Sequence, residues 1–432
     1  MDIAGSRSRL LLALATTVLA ALCASPAQAR LVTVFPLPDA LRFPDAIAAG
    51  PEGALWFTQY DLDGPGRVPG ILGRLTPAGV ASPVAIPAGS APVSLTTGPD
   101  ETLWYAAEGT SVGSIGRVGA AGVTEVALPH GSVSAEGIVS GPDGALWFTT
   151  ERRIGRLVPG GAPAFFSVPG ARSLDRIIVG PDGALWFSDS EASRLGRITT
   201  AGAVRTFRLP IPTGADGLAS GDDALWFTSF RGERIGRMTT SGRVRLYRLP
   251  DPLDAPDAIT PGPDGAMWLT RTFGIGRITT GGEISELRIP ERDGDLTFQE
   301  EIAPGPGGTL WFTQQTDDLG TSSGATASGS LGRIDALASA DELLVARLTG
   351  GALRGHRGRL LHVGFDATRR ASGSIRLERA GRLVARRTVQ ARAGANSVVL
   401  RLPRRTGSLR LVLRVSAGSQ SGSDSATVTI AR

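Results

Sequence analysis

The chain has 432 residues, a formal net charge of +5 and 41% hydrophobic residues, which is enough for a large core and more than one domain. Its 45 basic residues are all arginine, and Cys23 is the single cysteine. That count excludes a disulfide framework and a thiolate metal centre, and no apolar run after the N-terminal region is long enough to span a bilayer.

Residues 1–29 read as a secretory signal peptide. Arg7 and Arg9 precede an apolar run from Leu10 to Leu22, and Ala27-Gln28-Ala29 supplies a small-x-small cleavage site. Leu22 before Cys23 is too bulky for a lipidation signal, so the expected product is released or associated with the cell surface. The all-arginine usage fits a GC-rich bacterial genome. Nucleic acid is a poor partner for an exported chain.

Residues 30–334 carry one sentence seven times. Trp56, Trp104, Trp147, Trp186, Trp226, Trp268 and Trp311 are separated by 39 to 48 residues. Most sit in a phrase close to Gly-Pro-Asp-Gly-Ala-Leu-Trp-Phe-Thr. A period of this size with four short strand patterns per unit predicts a seven-bladed β-propeller, all-β. In blade 4 the strands fall at Asp175–Val179, Ala184–Ser188, Arg194–Ile198 and Ala203–Leu209. Outer strands end in apolar-Pro at Pro38, Pro87, Pro129, Pro169, Pro210, Pro250 and Pro290. The first precedes every tryptophan, and none follows the last unit. The N-terminal strand, Leu31–Pro38, is therefore expected to complete blade 7 and close the ring.

The repeat stops at a linker, residues 335–340. Residues 341–432 alternate in short runs, which predicts a small immunoglobulin-like β-sandwich. This segment holds 18 Arg against 5 Asp and Glu, a balance of +13, so the rest of the chain sums to −8. A basic C-terminal domain on an acidic propeller suggests an anionic cell-wall polymer as partner, beside the plainer reading of a solvated arginine surface.

Candidate sites follow from the repeat. Just before each innermost strand stand Asp45, Val93, Glu136, Asp175, Asp216, Asp257 and Glu300. Six of these seven are acidic. Around one axis they form a candidate site for Mg²⁺ or Ca²⁺, since oxygen donors without histidine or cysteine favour these ions. The alternative is that each carboxylate caps backbone N–H groups in its own blade. No organic cofactor is implied. The stretches after the tryptophan strand are longest in blades 1 and 7, at Gln59–Pro69 and Gln314–Ser330. They offer Tyr60, Asp61, Asp63, Gln314, Gln315, Asp317 and Asp318 as ligand-binding loop residues for an extracellular ligand.

The unit Gly-Pro-Asp-Gly-Ala-Leu-Trp-Phe-Thr, followed by Ile-Gly-Arg-Ile-Thr-Thr and a strand ending in Leu-Pro, closely resembles the streptogramin B lyase (virginiamycin B lyase) family over Leu31–Ile334. The resemblance implies a propeller that opens a cyclic depsipeptide by elimination, using magnesium and a histidine base from a Glu-Pro-His sequence. Here that sequence is replaced by Phe298-Gln299-Glu300, with Glu300 at the histidine position and a weak candidate base. The acid expected after the last tryptophan strand falls in Gln314-Gln315. His130, His356 and His362 lie elsewhere. The sequence thus favours a binding module on the lyase architecture; the alternative is a C–O lyase acting on a cyclic ester peptide.

Overall fold

The computed structural model describes residues 32–335 apart from 42, 60–69, 110, 130–133, 212–213, 232, 250–254, 273, 288, 290–294 and 319–327, together with the strands between 346 and 431. The signal segment and most of the 335–340 linker lie outside the described residues.

Blade 4 shows how the repeated sentence makes a blade. Its strands run Leu174–Val179, Leu185–Asp189, Arg194–Ile198 and Val204–Arg208, each antiparallel to the next. Gly180-Pro181-Asp182-Gly183 turns the chain between the first two, with Gly183 at φ 71° and its N–H donating to the Gly180 carbonyl at 3.0 Å. The alternation of the second strand then sends its two aromatics in opposite directions. Trp186 packs with Leu195, Leu218 and Phe227, toward blade 5. Phe187 packs with Trp147, Ile154 and Leu185, toward blade 3. Burying roughly 200 Å² of indole removes about 5 kcal/mol of apolar exposure at ~25 cal/mol/Å². Gly196 lies under Phe187, where a Cβ would stand 2.0 Å from the ring. The Leu-Gly-Arg motif is therefore a steric requirement of the Phe.

The indole N–H meets the motif's two charged side chains in one partly exposed cluster. Trp186 Nε1 donates to Asp182 Oδ1 at 2.8 Å, and Arg197 Nε donates to Asp182 Oδ2 at 2.6 Å. Blades 2, 3 and 6 repeat the arrangement with Asp100, Trp104 and Arg117, with Asp143, Trp147 and Arg156, and with Asp264, Trp268 and Arg277. Burial pushes the Asp182 carboxyl up, but hydrogen bonds from Trp186, Arg197 and the Ala184 N–H outweigh it, so its pKa lies below the usual aspartate value. Asp100 and Asp143 are held low in the same way, by their own tryptophan first and then by their other donors.

Seven such four-stranded units close a ring. Innermost strands contact their neighbours from blade 1 to blade 7, and blade 7 touches blade 1. The closure follows the sequence reading: Val32–Pro36 is the outer strand of blade 7, pairing with Ser328–Asp335 so that Val32 lies opposite Ile334.

The C-terminal domain is a β-sandwich. Strands 353–356, 420–431, 407–417, 371–379 and 382–391 form one sheet, and strands 346–349, 360–367 and 394–401 form the other. Phe365, Val363 and Leu400 meet Ile375, Leu377, Leu411 and Leu413 between them. The sequence reading missed the strands Leu353–His356, which is only 4 residues long, and Arg382–Ala391, whose arginines mask the alternation. It also missed the way the domains join. The last strand, Gln420–Ala431, adds to the outer strand of blade 6, with Ile284 opposite Ser423 and Leu287 opposite Gln420. Ile284, Ser285, Glu286 and Leu287 are all buried as a result, whereas the outer strands of blades 1 to 5 are largely exposed or half-buried. Blade 6 also carries Leu269 in place of the Phe. Arg271 fills space near Gly276 and pairs with Glu286 at 3.2 Å, both side chains being almost fully buried.

The lowered aspartate values fix a pH dependence. A carboxyl whose folded pKa is depressed contributes stability above its unfolded value, about 3.9, and loses it as pH falls toward the folded value. Chemical denaturation of the protein should therefore show stability falling as pH drops through about 4. Asp182→Asn, which keeps an acceptor for Trp186 but removes the charge, should flatten that fall.

Candidate functional site at the channel mouth

The threonine two places after the tryptophan, which is Ala106 in blade 2 and Ser188 in blade 4, positions the mouth. Thr149 Oγ1 accepts the Gly137 N–H of its own innermost strand at 2.8 Å and donates to the Asp175 carbonyl of the next blade at 2.5 Å. Thr228 accepts from Gly217 at 2.8 Å and donates to the Asp257 carbonyl. Thr270 accepts from Ala258 at 2.9 Å and donates to the Glu300 carbonyl at 2.9 Å. Thr313 accepts from Glu301 at 3.0 Å and donates to the Asp45 carbonyl at 2.7 Å. Each hydroxyl is a two-way pin between neighbouring blades. Four of the six acidic positions are thereby fixed through their backbone carbonyls.

The six acids occupy equivalent places, as the repeat requires, but their side chains have separate occupations. Glu136 accepts from the Ser134 hydroxyl. Asp175 Oδ1 accepts from Ser173 at 3.3 Å, and Asp216 Oδ2 accepts the Phe230 N–H at 2.8 Å. The bond from the Phe230 N–H is of the backbone-capping kind, and the other two come from serine hydroxyls. All six of Asp45, Glu136, Asp175, Asp216, Asp257 and Glu300 are engaged in an interaction. Among the described residues no three His, Cys, Asp or Glu side chains converge closely enough to hold a metal ion.

A positive charge stands among the acids instead. The residue after each mouth position, the one bonded to the threonine or serine hydroxyl where blade 2 is set aside, is Ala46, Ser94, Gly137, Arg176, Gly217, Ala258 and Glu301 around the ring. Five are small. Arg176 in blade 4 and Glu301 in blade 7 are the exceptions, and they meet: Arg176 Nη1 lies 2.5 Å from Glu301 Oε2. Their side chains are 36% and 15% exposed. Glu301 raises the Arg176 pKa above the ordinary arginine value; burial opposes this, and Asp257 and Asp45 add to it. One ion pair thus joins blades 4 and 7, and the guanidinium also feels the charges of Asp257 and Asp45. The sequence reading missed both residues. Their signal was present, because two large groups of opposite charge interrupt a column of Ala, Ser and Gly.

The loop residues fare differently. Tyr60, Asp61 and Asp63 lie outside the described residues. Gln314, Gln315, Asp317 and Asp318 do not belong to a loop. The second strand of blade 7 runs on from Thr309 to Asp318 because the first is equally long, Asp295–Gly305, and gives it a partner. Gln299 stands opposite Gln314, and Phe298 opposite Gln315. Gln314 is buried, and Gln315 Nε2 donates to the Pro44 carbonyl of blade 1 at 3.2 Å. Glu300, the weak candidate base, follows this pair at the bulge before Ile302.

Fold and mouth together define a seven-bladed β-propeller with a charged, inter-blade site on its axis. The sequence model of the virginiamycin B lyase family matches residues 29–216 and 217–330. The chain belongs to that family. Among solved structures, a streptogramin B lyase is 28% identical, with a TM-score of 0.59, covering 69% of this chain and 96% of its own. A catalytically inactive histidine-to-alanine variant of virginiamycin B lyase from Staphylococcus aureus, solved with quinupristin, is 29% identical at TM-score 0.59, covering 69% and 98%. The WD40 propeller domain of Doa1 shares the fold alone, at 12% identity and TM-score 0.51, covering 70% and 95%. No curated protein sequence gives a significant match.

The donor set here does not fit the magnesium site implied by the family. Phe298 and the Gln314-Gln315 pair stand where the resemblance implies acids, and the Arg176 guanidinium is paired with Glu301. Arg176→Gln should expose the cost of that arrangement. At pH 7 it leaves the partly buried carboxylates without their counter-charge, and the protein should lose about 1–3 kcal/mol, between the values for exposed and buried pairs. Urea unfolding of both proteins at pH 7 measures the deficit, and equal stability would contradict it.

Proposed function

We propose that this protein is a secreted or cell-surface binding propeller of the virginiamycin B lyase family, without the family's lyase chemistry. The observation that carries the reading is the Arg176–Glu301 pair, which sets a guanidinium against a carboxylate between blades 4 and 7. The absent Glu-Pro-His points the same way. Glu300 holds the position of the base, and its backbone carbonyl is engaged by Thr270. A mouth with fixed charges of both signs suits a zwitterionic or peptide-like ligand, whose ammonium and carbonyl groups meet carboxylates and a guanidinium. The first probe is quinupristin, the molecule with which the Staphylococcus aureus relative was solved. The signal-like N-terminus supports export, and the basic C-terminal domain supports attachment to an anionic cell-wall polymer. No helix among the described residues is long and apolar enough to cross a membrane.

The lyase reading rests on the family itself and on Glu300, since a glutamate with a raised pKa can act as a base. One assay separates the two. The purified protein with quinupristin and millimolar Mg²⁺ should leave the ring closed at the buffer rate, and neither Mg²⁺ nor Ca²⁺ should raise its melting temperature. Metal-dependent ring opening that Glu300→Gln abolishes would make Glu300 the base and the protein a lyase.

A further inference from the structure

The larger sheet of the C-terminal domain ends in the strand Arg382–Ala391. One side of it pairs with Ala371–Arg379 along its whole length, and no described strand pairs with the other side. The strand is 10 residues long, and most of them are exposed. Val389 and Ala391 anchor it in the core, and Ala385 packs partly against them. The free outer strands of blades 1 to 5 have only 4 to 6 residues. Short edges limit pairing with other chains, and this edge is about twice as long as those of the propeller.

Its side chains suit an incoming strand as well as its backbone does. Leu383 and Val384 are 58% and 40% exposed, two of the five large apolar side chains left exposed among the described residues. They stand at a bulge: Leu383 lies opposite Glu378 and Ala385 opposite Leu377, so Val384 is the extra residue. Arg382, Arg386 and Arg387 give the strand three positive charges, it contains no acid, and Glu378 is the one acid of the strand beside it. Register sets Arg382 opposite Arg379 and Arg386 opposite Arg376. Arg387 stands opposite the core residue Ile375, so Arg386 and Arg387 lie on opposite faces of the sheet. A strand added about 4.8 Å outside this edge would meet a guanidinium on each face. Like charges on directly opposed strands are unfavourable, so a second copy of the strand is a poor occupant and an acidic strand a good one.

We propose that Arg382–Ala391 is a docking edge for an extended acidic peptide segment of a partner protein, which adds to the sheet as its next strand. Main-chain hydrogen bonds supply the pairing, the arginines select carboxylates, and Leu383 and Val384 cover apolar side chains between them. A flexible polyanion would use the arginines but neither the free backbone nor the apolar pair. The channel mouth takes no part, so this edge stands or falls apart from the reading of the mouth.

The test uses the full mature chain and an acetylated peptide of alternating glutamate and valine at low salt, with binding read by fluorescence anisotropy and pairing by amide hydrogen exchange. The peptide should bind, and the amides of Arg382–Ala391 should exchange more slowly in its presence. A peptide with proline in place of valine has the same charge but lacks the N–H groups to pair, and it should do neither. Arg386→Gln/Arg387→Gln should weaken binding by about tenfold, the scale of two exposed ion pairs. Arg208→Gln/Arg243→Gln removes two exposed arginines of the propeller and should stay within about twofold, because position and not total charge decides. Unchanged melting curves establish that each variant is folded. Equal binding of the proline peptide, unchanged exchange at the edge, or equal losses in the two variants would overturn the proposal. Inorganic polyphosphate that slows the same amides would overturn it in favour of a polymer. Protection that grows with protein concentration in the absence of peptide would overturn it in favour of a second copy of the chain.

Discussion

Everything at the channel mouth depends on a hydroxyl pinned between two blades. The hydroxyl residue two places after the tryptophan, present in every blade but blade 2, accepts one N–H from its own blade and, in blades 3, 5, 6 and 7, where it is threonine, gives its proton to the next blade's carbonyl. Both partners are backbone groups, so the bond survives any change of side chain at the mouth. Net contributions of about 1 kcal/mol apiece recur around the ring beside the much larger burial of indole and phenyl rings. The scaffold is thereby independent of what the mouth displays. A propeller built this way can lose one chemistry and keep its shape.

That independence explains how the acidic column can persist beside a guanidinium. Carboxylates at equivalent places round an axis repel one another and must be offset by a cation, by protons or by local hydrogen bonds. Here Glu136, Asp175 and Asp216 are bonded within their own blades, and Arg176 is paired with Glu301. The offsetting charge is part of the chain. It cannot be removed by a chelator.

The fold was legible because its cause is periodic. Spacing, turns and the outer-strand count were enough to place Val32–Pro36 in blade 7. The Asp–Trp–Arg cluster and the glycine under Phe187 are the physical reasons the sentence must repeat. The site was less legible because its residues break the repeat. Arg176 and Glu301 become conspicuous only when the residue after each mouth acid is read as a column, and their meeting across the ring is a fact of three dimensions. Gln314 to Asp318 looked like loop because a polar run after Trp-Phe-Thr normally leaves the sheet; an equally long partner strand holds it in. The junction at blade 6 left one trace, Leu269 in place of Phe, which alone does not name a docking strand.

The account stands most directly on the coupling between Arg176 and Glu301. A double-mutant cycle with Arg176→Gln, Glu301→Gln and the pair, by urea unfolding at pH 7, measures it without reference to any ligand. The account predicts a favourable coupling of about 1 kcal/mol or more, within the range found for contacting charges. Single-mutant effects that add to within about 0.3 kcal/mol, the behaviour of independent sites, would contradict it and return the mouth to a set of separately capped carboxylates.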